Sequence, residues 1–205
     1  MTELERSLRE RVLAVLARGA SGALARDEFT DLALRALAWQ RAQCPALDRA
    51  LRAAGEGAEA RSGGLDGVVG VPTDAFKWAR IATFEASRRV RTFFTSGTTR
   101  EVRGAHEFET LEYYELAAVA AARRWLLPAE RYRFVLLAEP EEDAPHSSLS
   151  AMLSMFARRW GDRAVEDVFF VRNGSLDVQG VRSAIEGARR GRERVALLGA
   201  TFAFV

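Results

Sequence analysis

The chain has 205 residues, 48% of them hydrophobic and 28% charged, a globular composition that excludes a disordered or fibrous chain. Its formal charge is only +2, with acidic and basic residues interleaved throughout, so no basic patch of the kind that binds nucleic acid is expected. The single cysteine, Cys44, rules out a disulfide framework and fits a reducing cytoplasm.

The opening MTELERSLRERVLAVLARG is too charged for a signal peptide, and no apolar run approaches the ~20 residues of a membrane span. A first helix is expected here, with Thr2 and Glu5 as a capping box, Leu4, Leu8, Val12 and Val15 on one face, and Gly19 at its end. A second starts near Asp27, with Phe29, Leu32, Leu37 and Gln40 near one stripe. Pro45 interrupts it, and ALDRALRAAG forms a third. Residues 55–70, GEGAEARSGGLDGVVG, read as a glycine-rich connection between a helical N-terminal region (1–54) and the remainder, 71–205.

After Pro72 the rhythm changes. RVRTFF (89–94) reads as a strand running into TSGTT, and residues 110–126 as a helix through Leu116, Val119 and Trp125, ended by Pro128. YRFVLLAE (132–139) is apolar enough for a buried strand. Ser147 or Ser148 caps a helix carrying Leu149, Met152, Leu153, Phe156 and Trp160 on one face. AVEDVFFV (164–171) is a strand, NGSLD a turn, 178–190 an amphipathic helix with Val178, Val181 and Ile185, and RVALLGATFAFV (194–205) a last strand. This alternation predicts an α/β fold of βαβ units forming a mostly parallel sheet. An apolar strand at the very end also reads as a domain cut short.

Ligands of parallel sheets sit beyond the carboxyl ends of the strands. TSGTT, the HSS of 146–148 and the GAT of 199–201 all fall at or shortly after such ends. Tight loops of this kind present backbone N–H groups to anions, Gly97 permits close approach, and the hydroxyls add donors. The run lacks the lysine of a GxxxxGK[ST] phosphate loop. Taken alone it is either a phosphate cradle or a plain turn.

FFTSGTT resembles the phosphate-loop signature of the adenylate-forming enzymes, and within them the acyl-protein synthetases of the LuxE type. FTDLALRALAWQRAQCPAL with Trp39–Gln40, VPTDAFKWARI with Val71, Pro72, Phe76 and Lys77, PHSSLSAMLSMF with Ser147, Ser148, Leu149 and Met152, and LLGATFAFV with Gly199 resemble further segments of that family in the same order. The resemblance runs from about residue 29 to the end and corresponds to roughly the first half of a family enzyme. It implies that ATP and a carboxylic acid, a long-chain fatty acid first of all, give an acyl-adenylate. The acyl group then passes to a protein thiol and on to an acyl reductase as partner. By the same resemblance Thr95, Ser96, Gly97, Thr98 and Thr99 would hold the ATP phosphates, with Mg²⁺ sharing their charge.

The sequence departs from the family pattern in three ways. Arg100 stands where a glycine is expected, which leaves Gly104 to supply flexibility and Arg103 or Arg100 to supply phosphate charge. The later nucleotide-binding motifs and the C-terminal lid are missing, so the 205-residue chain alone is expected to be inactive. Cys44 does not match the family's acyl-accepting cysteine and reads as a buried residue. No residue is assigned a catalytic role, and no metal cluster is expected from two histidines and one cysteine. His106, Ser147, Ser148, Gly199 and Thr201 are weaker candidates for the substrate side. Lys77 reads as a surface or structural residue. Phe93, Phe94, Tyr113, Tyr114, Phe169 and Phe170 read as core. Two alternatives stay open: a catalytically incomplete nucleotide- or anion-binding remnant of this family, and an aryl- or phenylacetyl-CoA ligase that shares the loop.

Overall fold

The computed structural model describes residues 3–18, 24–53, 65, 68, 70–95 and 102–200. It is a mixed α/β chain that divides into two compact units, Met1–Tyr113 and Tyr114–Val205.

In the first unit, α1 (Glu3–Arg18), α2 (Arg26–Gln43) and α3 (Pro45–Ala53) follow the predicted helical region. Thr2 and Gly19, expected at the ends of α1, lie outside the described residues. Ion pairs tie α1 to α2: Arg11 to Asp31 at 2.9 Å and Arg18 to Glu28 at 3.1 Å. A small core of Cys44, Leu47 and Leu51 closes the turn between α2 and α3, with Leu37, Val71 and Ile81 packed on it. Asp48 holds that turn by bonding Arg52 at 2.7 Å and Arg41 at 3.0 Å. The expected stripe on α2 is only partly right: Leu32 is buried, but Phe29 is 52% exposed. The short α4 (Ala75–Trp78) packs against β2 (Ala105–Phe108), which pairs antiparallel with β1 (Arg91–Phe94).

This hairpin corrects the sequence reading in two respects. AHEF was not expected to be a strand, and TSGTT does not follow a strand of the parallel sheet. It begins at the end of a strand paired antiparallel to its successor, with Phe94 opposite Ala105.

The second unit holds the parallel pair. Strand β3 (Arg133–Leu137) runs beside β6 (Val195–Gly199), with Leu137 opposite Gly199. On its other edge β3 meets Val168–Phe170: Leu136 N donates to Val168 O and Phe170 N donates to Leu136 O. Because β3 is covered on both faces, it is an almost continuous apolar run. Phe134, Val135 and Leu136 are fully buried. Phe134 and Leu136 join Ala122 of α5 (Glu112–Trp125) and Leu153, Phe156, Ala157 and Trp160 of α6 (Ser148–Trp160) in one cluster. The period of two turns Val135 to the opposite face, and α7 (Val178–Gly191) packs on β3 as well.

Where AVEDVFFV was expected to be one strand, Val165–Asp167 forms a 3-10 turn and β4 is only Val171–Arg172, paired with β5 (Ser175–Leu176). The predicted turn between them is Asn173–Gly174, with φ of 51° and 72°, the two left-handed residues of a type I′ hairpin. Among the described residues the strands thus form three two-stranded sheets: a small parallel one, β3 with β6, and the antiparallel hairpins β1–β2 and β4–β5. The helical stripes are less buried than expected too: Trp125 is 72% exposed, Val178 60% and Ile185 39%. Arg192 caps the C-terminus of α7 in the left-handed region, at φ 53°. No helix among the described residues is long and apolar enough to cross a membrane.

Candidate functional site

Two places carry the residues singled out from the sequence, one in each unit. The first is the neck of the β1–β2 hairpin. Thr95 N donates to Gly104 O at 2.9 Å, and Gly104 N donates to Thr95 Oγ1 at 3.0 Å. These two bonds close the base of the connection that carries TSGTT. Ser96, Gly97, Thr98, Thr99 and Arg100 lie outside the described residues. Thr95 thus uses its hydroxyl oxygen to brace the neck, and its proton is left to donate.

Gly104 does not play the flexible part expected of it. Its φ is not positive, and a Cβ there would meet Thr95 Cγ2 at 3.2 Å and Phe76 Cβ at 3.5 Å. It is glycine because the neck is close. Phe76 also stacks on His106, with centroids 4.2 Å apart. His106 faces Phe93 across the ladder and is half-buried, so it supports the hairpin base. Arg103 is exposed beside the neck and has no hydrogen bond or ion pair among the described residues. Lys77 pairs with Asp74 at 2.7 Å, in keeping with a structural role.

Sequence reasoning missed the carboxylate behind the hairpin. Glu107 of β2 accepts from Arg80 Nε at 2.7 Å and Arg89 Nη1 at 3.0 Å. Burial alone would raise its pKa, but the two guanidinium bonds outweigh it and hold the carboxyl below its usual range. Arg88 pairs with Glu109 nearby. Nothing marks these arginines in a chain so rich in arginine, and only the fold selects them.

The second place is the carboxyl edge of β3 and β6. Ser147 is the N-cap of α6: its hydroxyl accepts from Ser150 N at 3.1 Å. Ser148 is exposed, and its carbonyl accepts from the Tyr114 hydroxyl at 2.9 Å. Burial pushes the Tyr114 pKa up. Glu139, just past β3, accepts from Gly174 N at 2.9 Å, and Asp143 pairs with Arg172 at 2.9 Å, so the β4–β5 hairpin pins the loop that precedes α6. His146 is exposed. Gly199 is fixed by packing: a Cβ there would fall 2.8 Å from both Leu137 Cβ and Leu137 O. Thr201 lies outside the described residues.

The structure thus assigns a bracing role to Thr95 and Gly104, a capping role to Ser147 and a close-packing role to Gly199. Cys44 is buried, 3% exposed, and its N–H is bonded to Gln40 O. Among the described residues, no group of three or more His, Cys, Asp and Glu side chains is placed to hold a metal ion. No protein-family model, curated protein or solved structure matches the chain.

Proposed function

We propose that the chain carries the ATP-binding hairpin of an acyl-adenylating ligase of the acyl-protein synthetase type, with a long-chain fatty acid as the acid activated. The reading rests on the ordered segments from about residue 29 onward that resemble that family. One structural observation supports it: the Thr95–Gly104 neck, closed by two hydrogen bonds, with Arg103 beside it, whose guanidinium has no partner among the described residues. A braced neck makes a short polar connection cheap to order around phosphate, and an arginine at its base adds charge and two parallel donors.

In such an enzyme the acid's carboxylate attacks the α-phosphorus and pyrophosphate leaves. The protein's part is positioning and electrostatic support. Mg²⁺ would arrive with the nucleotide and share the charge of its phosphates. Transfer to a thiol would need a cysteine other than the buried Cys44.

Titration of Mg–ATP followed by the amide resonances of Thr95, Gly104 and His106 tests the proposal. Saturable shifts are expected, weakened about tenfold in Arg103→Gln. No shift at millimolar ATP would refute it. The second reading, a nucleotide-binding remnant, draws on Arg100 in the glycine position. In the full-length protein, ATP binding with no acid-dependent pyrophosphate exchange selects it over the first.

A further inference from the structure

The junction of α2 and α3 forms one wall of a cleft of about 410 Å³, and the segment 80–88 forms the other. Both walls belong to the first unit. The volume lies within the ~300–1,000 Å³ of small-molecule sites. The lining is mainly polar, with Arg49, Arg80 and Arg88 beside Pro45 and Phe84, and the Arg80 guanidinium lies over the Phe84 ring at 5.2 Å.

Arginines are abundant on this chain, and many of them pair with a carboxylate. Those of the cleft are not fully balanced. Arg49 has no ion pair or hydrogen bond among the described residues. Arg80 shares the single carboxylate of Glu107 with Arg89, so one positive charge is left over there. Arg88 is neutralised by Glu109. Glu85, in the lining, is the opposing charge, and among the described residues a net positive charge survives it. Arg80 is also held in place, donating from Nε to Glu107 and from Nη2 to Phe84 O at 2.6 Å. A fixed guanidinium loses little entropy when it takes a further acceptor.

From this we infer that the cleft binds a small organic anion, a phosphomonoester or a carboxylate on a compact apolar body. Arg49 and Arg80 take the headgroup, and Phe84 and Pro45 take the body. The site is separate from the hairpin neck and stands whether or not the neck binds ATP.

The test is amide chemical-shift mapping of the whole chain with phenyl phosphate, benzoate and the uncharged benzyl alcohol. Either anion should shift residues 43–49 and 82–88 saturably, benzyl alcohol should not, and the stronger of the two anions identifies the headgroup. Arg49→Gln should weaken binding about tenfold. Glu85→Gln should tighten it, an effect that no loss of folding can produce. The inference is overturned if neither anion shifts those residues at millimolar concentration, if benzyl alcohol acts equally, or if Arg49→Gln and Glu85→Gln both leave the affinity unchanged.

Discussion

Replacing Gly199 by alanine tests whether that glycine exists for packing or for a ligand. Its φ is ordinary, so backbone strain plays no part. The added Cβ would sit 2.8 Å from Leu137 Cβ and 2.8 Å from Leu137 O, its register partner on β3. Carbon contacts are optimal at ~3.5–4.0 Å, so the strands must part by roughly 0.7 Å. β3 has no room to retreat, because Val135 and Leu136 are fully buried. The end of β6 must move instead and loosen its last ladder bonds. Overpacking of this kind costs ~1–3 kcal/mol, while alanine recovers ~0.4–1 kcal/mol by restricting the unfolded chain. The net is about 1.5 kcal/mol of destabilisation, which for a unit of this size lowers Tm by ~6–12 °C. Hydrogen exchange of the β3 amides gives a local readout and should speed up about tenfold. If Gly199→Ala leaves both the Tm and the β3 protection unchanged, the close-approach account is wrong.

Acid should weaken the first unit. Glu107, held down by Arg80 and Arg89, is joined by Asp31, lowered by Arg35 and then Arg11, and by Asp48, lowered by Arg52 and then Arg41. A carboxyl with a lower pKa in the folded state binds fewer protons there than when unfolded. Its stabilisation is therefore complete above the unfolded value, near ~4, and is lost as pH falls through the folded one. The Tm should fall on acidification below about pH 4, and the gap between Glu107→Gln and the parent should narrow; a constant gap contradicts this. Ser147→Ala should cost ~1 kcal/mol in urea unfolding through loss of the α6 cap, whereas Ser148→Ala should stay within ~0.5 kcal/mol. An equal loss in both would remove the capping assignment. Arg192→Gly should raise stability by ~0.5–1 kcal/mol, because the left-handed C-cap of α7 penalises a side chain; no gain in the urea midpoint would count against that.

The long helices and the two strands of the parallel pair were legible because each is a sustained periodic or apolar run. Leu153, Phe156 and Trp160 recur at helical spacing, and FVLL admits only a buried strand. Asn173–Gly174 was equally plain, since few other pairs enter the left-handed region together. What escaped were short segments whose state is set by partners. Residues 105–108 hold one alanine, one histidine, one glutamate and one phenylalanine, and become a strand only because β1 lies alongside. Phe169 bridges in parallel to Leu136 of β3, but the turn just before it is 3-10, and the local sequence does not separate the two. At the candidate site, the residue types of the neck were visible, but its hydrogen bonds were not. Gly104 looked like a hinge and is a spacing residue. The cleft was invisible for another reason: Arg49 and Arg80 are far apart in sequence and resemble every other arginine of the chain.

The Asn173–Gly174 turn has a consequence for how the protein ages. Asparagine followed by glycine is the dipeptide most prone to deamidation, because the unhindered glycine nitrogen attacks the asparagine side-chain carbonyl and closes a succinimide. Here that nitrogen must first lose a proton it is donating to Glu139 at 2.9 Å. A neighbouring carboxylate opposes the negative charge that would develop, and the type I′ geometry fixes both residues of the turn. The contact that pins the β4–β5 hairpin to the loop beyond β3 is thus also a chemical guard, and the hairpin should keep its asparagine for as long as Glu139 holds it.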